Sequence, residues 1–163
     1  MKRLIAVVAI AVTVLAGCGS ADSGSWTNYD ITVPMTTGSK NVWAFNASDS
    51  SSSGVLQLNG TGDADGSPVN VSLWGLINYT NNAGVFAESI EFDFGSAGKV
   101  YAYTRSGETT RTPTGVHVAA ILRISGGTGD FVGATGTVTH SADRAAKIGS
   151  PLTAHFVLHL KRA

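Results

Sequence analysis

Ile124-Ser125-Gly126-Gly127-Thr128-Gly129-Asp130-Phe131-Val132-Gly133-Ala134-Thr135-Gly136-Thr137-Val138 joins two strand-like runs, residues 115–125 and 134–140, and its reading decides the fold. A tight connection between long strands needs positions that accept positive φ and a backbone that a neighbour can approach closely, which glycine supplies. Gly126, Gly127, Gly129 and Gly136 are therefore read as a structural hairpin, with Phe131 packing over the end of a barrel. The competing reading is a phosphate cradle. It fails because the run lacks the Lys-Ser/Thr of a P-loop and is followed by a strand instead of a helix.

Outward from this hairpin, apolar residues recur with period two and turn residues punctuate the chain about every ten positions, the pattern of an antiparallel all-β barrel or sandwich. Strands are predicted near residues 26–33, 41–47, 54–59, 69–79, 85–94, 99–105, 115–125, 134–140 and 152–161, eight or nine in all. Between them, residues 60–66, 81–84 and 95–98 are rich in Gly, Asn and Asp and are read as hairpin turns. Residues 48–53 are Ser and Asp only and are read as a mobile loop.

The Gly126 to Gly136 segment resembles the GGTGxFxGxxG hairpin of the allene oxide cyclase barrel and its relatives, the dirigent proteins. Ala154-His155-Phe156-Val157-Leu158-His159-Leu160-Lys161 is similar to the closing strand of that family, and Tyr29-Asp30-Ile31 to the start of its first strand. The resemblance implies an eight-stranded antiparallel β-barrel with a central cavity for one small ligand. It also implies isomerising or cyclising chemistry on apolar substrates, an acidic residue on the barrel interior, with Asp30 the matching position, and a small homo-oligomer.

A second acid candidate comes from alternation alone. Phe86, Glu88, Ile90, Phe92 and Phe94 share one face of their strand, while Glu91 and Asp93 share the other. A carboxylate among four apolar side chains loses its water and favours the protonated form that a general acid requires. Alternatively, Glu88 lies at a strand end and reaches water, or pairs with an arginine such as Arg105 or Arg123. Trp43, Trp74, Tyr79, Tyr101 and Tyr103 offer more aromatic surface than a small barrel needs for packing and are candidate ligand-binding residues. No metal site and no cofactor are expected. His155 and His159 share a face but stand roughly 13 Å apart along a strand, too far for one zinc. His117 and His140, which approach if their strands pair through the Gly126 hairpin, make no closed site by themselves.

The N-terminus reads as an export signal. Lys2 and Arg3 precede an apolar run over residues 4–15, broken only by Thr13 and too short to span a bilayer. Leu15-Ala16-Gly17-Cys18 resembles the bacterial lipobox, which implies a signal peptide over residues 1–17 and a lipidated, palmitate-bearing Cys18. Residues 18–25 then form a flexible tether and residues 26–163 a single barrel domain in the bacterial cell envelope, anchored to the membrane and outside the cytoplasm. Cys18 is the only cysteine of the 163 residues, so the domain has no internal disulfide. Beyond residue 17 the chain carries nine basic and eleven acidic residues, a formal charge of −2, which argues against nucleic acid as a partner.

An anchor and a barrel without a catalytic constellation point first to a lipid-anchored module that binds a small apolar ligand. A cyclase or isomerase resting on Glu88 or Asp30 is the second class, and a structural or oligomerising envelope protein with a solid interior the third.

Overall fold

The computed structural model describes residues 24–46 and 51–163; the leader, Cys18 and residues 48–50 of the Ser/Asp run lie outside the described residues. Eight strands follow one another: β1 (Trp26–Asn46), β2 (Ser51–Ala64), β3 (Ser67–Thr80), β4 (Ala83–Asp93), β5 (Lys99–Thr112), β6 (Gly115–Gly127), β7 (Thr135–Arg144) and β8 (Leu152–Lys161). Each pairs antiparallel with the next, and β1 with β8, so the sheet closes into the eight-stranded barrel expected from the sequence. Closure satisfies the backbone of both edge strands, which an open sheet would leave exposed.

The alternation that predicts strands also fills the barrel. Along β3, Val69, Val71, Leu73, Ile77 and Tyr79 point inward and Asn70, Trp74, Leu76 and Asn78 outward. The same division on every strand gives one continuous core that includes Ile31, Phe92, Leu122, Phe156 and Leu158.

Two predicted strands, 26–33 and 41–47, prove to be one. Residues 26–35 of β1 pair with β8 and residues 35–46 with β2, and Met35 belongs to both ladders. The turn-like residues between are absorbed where the strand changes neighbours: Pro34 faces outward, and the register shifts between Thr37 and Ser39 around Gly38. β2 likewise begins at Ser51, so residues 51–53 are strand and not loop. The predicted turn over 60–66 contracts to Asp65-Gly66, both with positive φ, and that over 81–84 to Asn81-Asn82, also both positive. Two consecutive left-handed residues match the right-handed twist of the flanking strands.

At the end of the barrel where β1 starts, Phe131 rises from a short 3-10 turn (Gly129–Phe131) and closes the core. Its ring meets Phe94 at 4.9 Å, and the Arg162 guanidinium lies 4.9 Å above it. Gly136 is required by close approach. Its φ is +134°, and a Cβ there would run into the carbonyl oxygen of His159 on β8. The opposite end is crossed by the β7–β8 connection, held to β1 by Thr37 Oγ1 donating to the Gly149 carbonyl at 2.8 Å.

Candidate functional site

Glu88 sits on the inward face of β4 between Phe86 and Ile90, and His140 on the inward face of β7 between Val138 and Ala142. These strands are three apart in the barrel, so their side chains meet across the interior. Glu88 Oε1 and His140 Nδ1 are 2.9 Å apart, with each side chain only 2% exposed. The imidazole is stacked on Phe156, with ring centroids 4.7 Å apart. His140 Nε2 is buried without a hydrogen-bond partner.

That unpartnered nitrogen gives the site its chemical character. With Glu88 ionised and a neutral imidazole, Nδ1–H donates to the carboxylate and Nε2 presents a lone pair. With the proton on the carboxyl or on both nitrogens, Nε2 carries a hydrogen. In every state one buried polar atom lacks its bond, a deficit of about 1–3 kcal/mol that a water or a ligand group would remove. The carboxylate fixes the ring's orientation, as carboxylates do for histidines that exchange protons or hold ligands.

The pair lines a small, half-open cavity of about 40 Å³ with Leu58, Leu73, Ile77 and Val118, room for roughly one to three water molecules. Tyr79 borders it and shares a 2.8 Å hydrogen bond with the Thr109 hydroxyl. Burial pushes the Tyr79 phenol above its ordinary value, against the opposing Thr109 hydrogen bond and the Arg144 charge. Arg144 stands at the cavity's outer limit, its guanidinium 6.0 Å from the Tyr79 ring centre. Through Nη1 it donates to the carbonyls of Ala145, Ala146 and Lys147 at 2.9, 3.0 and 3.2 Å. Arg144 and Leu152 also border an open depression of about 540 Å³ at the barrel mouth, so these two side chains separate inner cavity from outer.

Of the residues singled out from sequence, Glu88 and Tyr79 lie at this cavity and the others do not. Asp30 points out of the barrel with its side chain 72% exposed, 2.6 Å from His155 Nε2. Its place in the β1 alternation, opposite in phase to Ile31 and Val33, puts it outside, which corrects the expectation of an interior acid there. Trp43, Trp74 and Tyr103 are exposed and Tyr101 half-buried, all on the outer wall, so they line no interior cavity. Arg105 and Arg123 are exposed too, and the partner of Glu88 is His140 instead. His117 and His140 do occupy neighbouring strands, but on opposite faces, and His117 bonds Asp143 at 2.9 Å. His155 and His159 share the outer face of β8, each with its own partner, Asp30 and Asn28.

His140 and Arg144 were missed as interior groups. The predicted strand stopped at His140, whereas β7 runs on to Arg144, and the alternation Val138, His140, Ala142, Arg144 places both inside. The test that isolated Glu88 among phenylalanines would have found His140 between Val138 and Ala142.

No family model matches the chain, and no curated protein matches it. Among solved structures it is similar to one described as pyocyanin demethylase, at 16% identity over 80% of this chain and 98% of that one, with a TM-score of 0.48.

Proposed function

We propose that this chain is a lipid-anchored protein of the bacterial cell envelope whose barrel, of the allene oxide cyclase-like kind, binds a small and largely apolar molecule through one polar group. Residues 1–17 act as the leader, Cys18 carries the lipid, residues 18–25 are the tether and residues 26–163 the binding domain. The observation that carries the reading is the unpartnered Nε2 of His140, a residue on the wall of a largely apolar cavity. Such an atom is costly to retain unless something occupies it. The inner 40 Å³ takes the polar group of the ligand, and the remainder extends past Arg144 and Leu152 into the mouth depression. A larger ligand would require those two side chains to swing aside.

A second reading, a cyclase or isomerase, is favoured by the Glu88–His140 contact itself, since a carboxylate-oriented imidazole is able to accept and return a proton at Nε2. Fold-level analogy adds nothing to it. A structural envelope protein with an empty, packed barrel is the third outcome.

Native mass spectrometry of the full lipoprotein, released from its own membranes, with organic extraction of co-purifying compounds, separates the three. A stoichiometric small molecule that is absent from Glu88→Gln supports binding. Conversion of that molecule by the wild type, lost in the variant, makes the barrel an enzyme. An empty barrel refutes both. The intact mass of the mature N-terminus tests the anchor: an unmodified Cys18 overturns it.

A further inference from the structure

Seven of the ten large apolar side chains exposed among the described residues fall on one wall of the barrel. Trp43 and Phe45 lie on β1 and Val55 on β2. Trp74 and Leu76 continue the wall on β3, Val85 on β4 and Tyr103 on β5. The registers make them neighbours. Leu76 stands between Val55 and Ala87, and Trp74 is joined to Tyr103 through Ser89. Each is 40–61% exposed, which on ordinary side-chain areas leaves about 600–700 Å² of apolar surface open to water. A monomer's largest patch is ordinarily about 300–600 Å². The opposite wall, over β6 to β8, has Thr137, Thr139, Ser141, His155 and His159 outward, and Ile121 as its one large exposed apolar side chain.

We infer that this wall is a self-association surface, on which a second copy of the chain packs face to face about a two-fold axis. The area fits: the apolar side chains alone approach the roughly 800 Å² per partner of a standard interface, and a polar frame of Asn41, Gln57 and Asn78 makes up the rest. The composition fits as well, because aromatic residues are enriched and charge depleted at interface centres. Outward positions between Trp43 and Ser89 on β2, β3 and β4 carry no charge, and charge of both signs borders them, with Glu108 opposite Val85, Arg123 opposite Tyr103, Glu91 next outward after Ser89, and Arg105 exposed on β5. A margin of mixed sign lets a second copy of the same surface match opposite charges across a two-fold axis. An anionic lipid surface would call instead for a uniformly basic margin, whereas Arg105, Arg123 and Lys99 are interspersed here with Glu91, Asp93 and Glu108. A shallow groove of about 300 Å³ between Val55, Trp74, Leu76 and Tyr103 offers a socket for an aromatic side chain of the second copy.

A photo-reactive phenylalanine analogue replacing Leu76 in the full lipoprotein, irradiated in intact cells, tests this directly. The expected product is an adduct of twice the chain mass whose linked peptide belongs to a second copy, lost with Trp74→Glu and retained with Ile121→Glu. In solution, residues 24–163 contain both partners of every strand pair, and sedimentation should show a dimer that weakens at least 30-fold with Trp74→Glu. Unchanged circular dichroism and unfolding midpoint would show that this outward substitution leaves the fold intact. A chain monomeric at 100 μM, an adduct to a different protein, or a dimer indifferent to Trp74→Glu overturns the inference. So does a monomer that floats with phosphatidylethanolamine–phosphatidylglycerol vesicles and ceases to do so with Trp74→Glu.

Discussion

Removing one member of the Glu88–His140 pair should destabilise the barrel more than removing both. His140→Phe keeps the stack on Phe156 and has the adjoining cavity to take the slightly larger ring. It leaves a carboxylate 2% exposed with no partner, a loss of about 3–5 kcal/mol. Glu88→Leu leaves the imidazole with both nitrogens unbonded instead of one, which costs about 2–4 kcal/mol. Glu88→Leu with His140→Phe deletes both polar groups at nearly constant volume and should fall within about 1–2 kcal/mol of wild type, on either side. At roughly 3–4 °C per kcal/mol for a chain of this length, the single variants lose about 6–20 °C while the double variant stays near the parent. Urea unfolding of the four proteins, followed by tryptophan fluorescence, gives the coupling directly. Additive losses in the double variant, about 5–9 kcal/mol, would refute the claim that the two groups meet as a buried pair.

The remaining predictions concern other parts of the barrel. The raised Tyr79 phenol binds its proton more tightly folded than unfolded, so its contribution is complete below about pH 10 and fades as pH rises toward the folded value. The unfolding midpoint of Tyr79→Phe should therefore decline less steeply than wild type between pH 9 and 11, and equal slopes would contradict the burial. Phe131→Ala opens the capped end beside Phe94 and should cost about 3–5 kcal/mol by denaturant titration. Gly136→Ala, which forces a Cβ against the His159 carbonyl, should cost more than Gly126→Ala, where the added methyl meets open space and only the positive φ is strained; chemical denaturation ranks the two. Asp30→Asn should change stability by less than about 1 kcal/mol and leave any co-purifying ligand in place, because the His155 pair is exposed.

Strand identity was legible because side-chain period two holds along each strand except where a bulge shifts the register. The inward set Phe86, Glu88, Ile90 and Phe92 could be read without knowing which strands pair. What could not be read was where a strand changes partner. Pro34 and Gly38 look like a turn locally and are tolerated inside β1 only because β8 gives way to β2 at Met35, a fact about closure and not about residues 26–46. The same limit hid the site. Glu88 announced itself by contrast with its neighbours, but its partner lies 52 residues away on a strand that approaches only across the closed interior. The aromatic residues misled for a related reason. Trp43, Trp74 and Tyr103 are large and apolar, yet their phase in the alternation is the outward one, and phase takes precedence over residue size.

The two features left unexplained by packing occupy opposite sides of the same sheet. Inside, an apolar substitute for Glu88 and His140 is expected to cost little in stability, so packing does not account for the pair, as is usual for groups kept for what they bind or transfer. Outside, Leu76 and Trp74 leave apolar surface in water on β3, whose inward residues Leu73 and Ile77 line the cavity. β4 carries Glu88 inward and Val85 outward, so a second copy packed on this wall would press on the strands that hold the carboxylate. Rigid packing transmits such a load because protein interiors compress little. Were both proposals to hold, β3 and β4 would couple binding inside to association outside, and the coupling would be reciprocal. A ligand that spreads these strands to pass Arg144 should weaken the dimer by the same factor by which dimerisation weakens the ligand. Sedimentation with and without the extracted compound measures that factor, and a dimer constant unmoved by a saturating ligand would show the two faces to be independent.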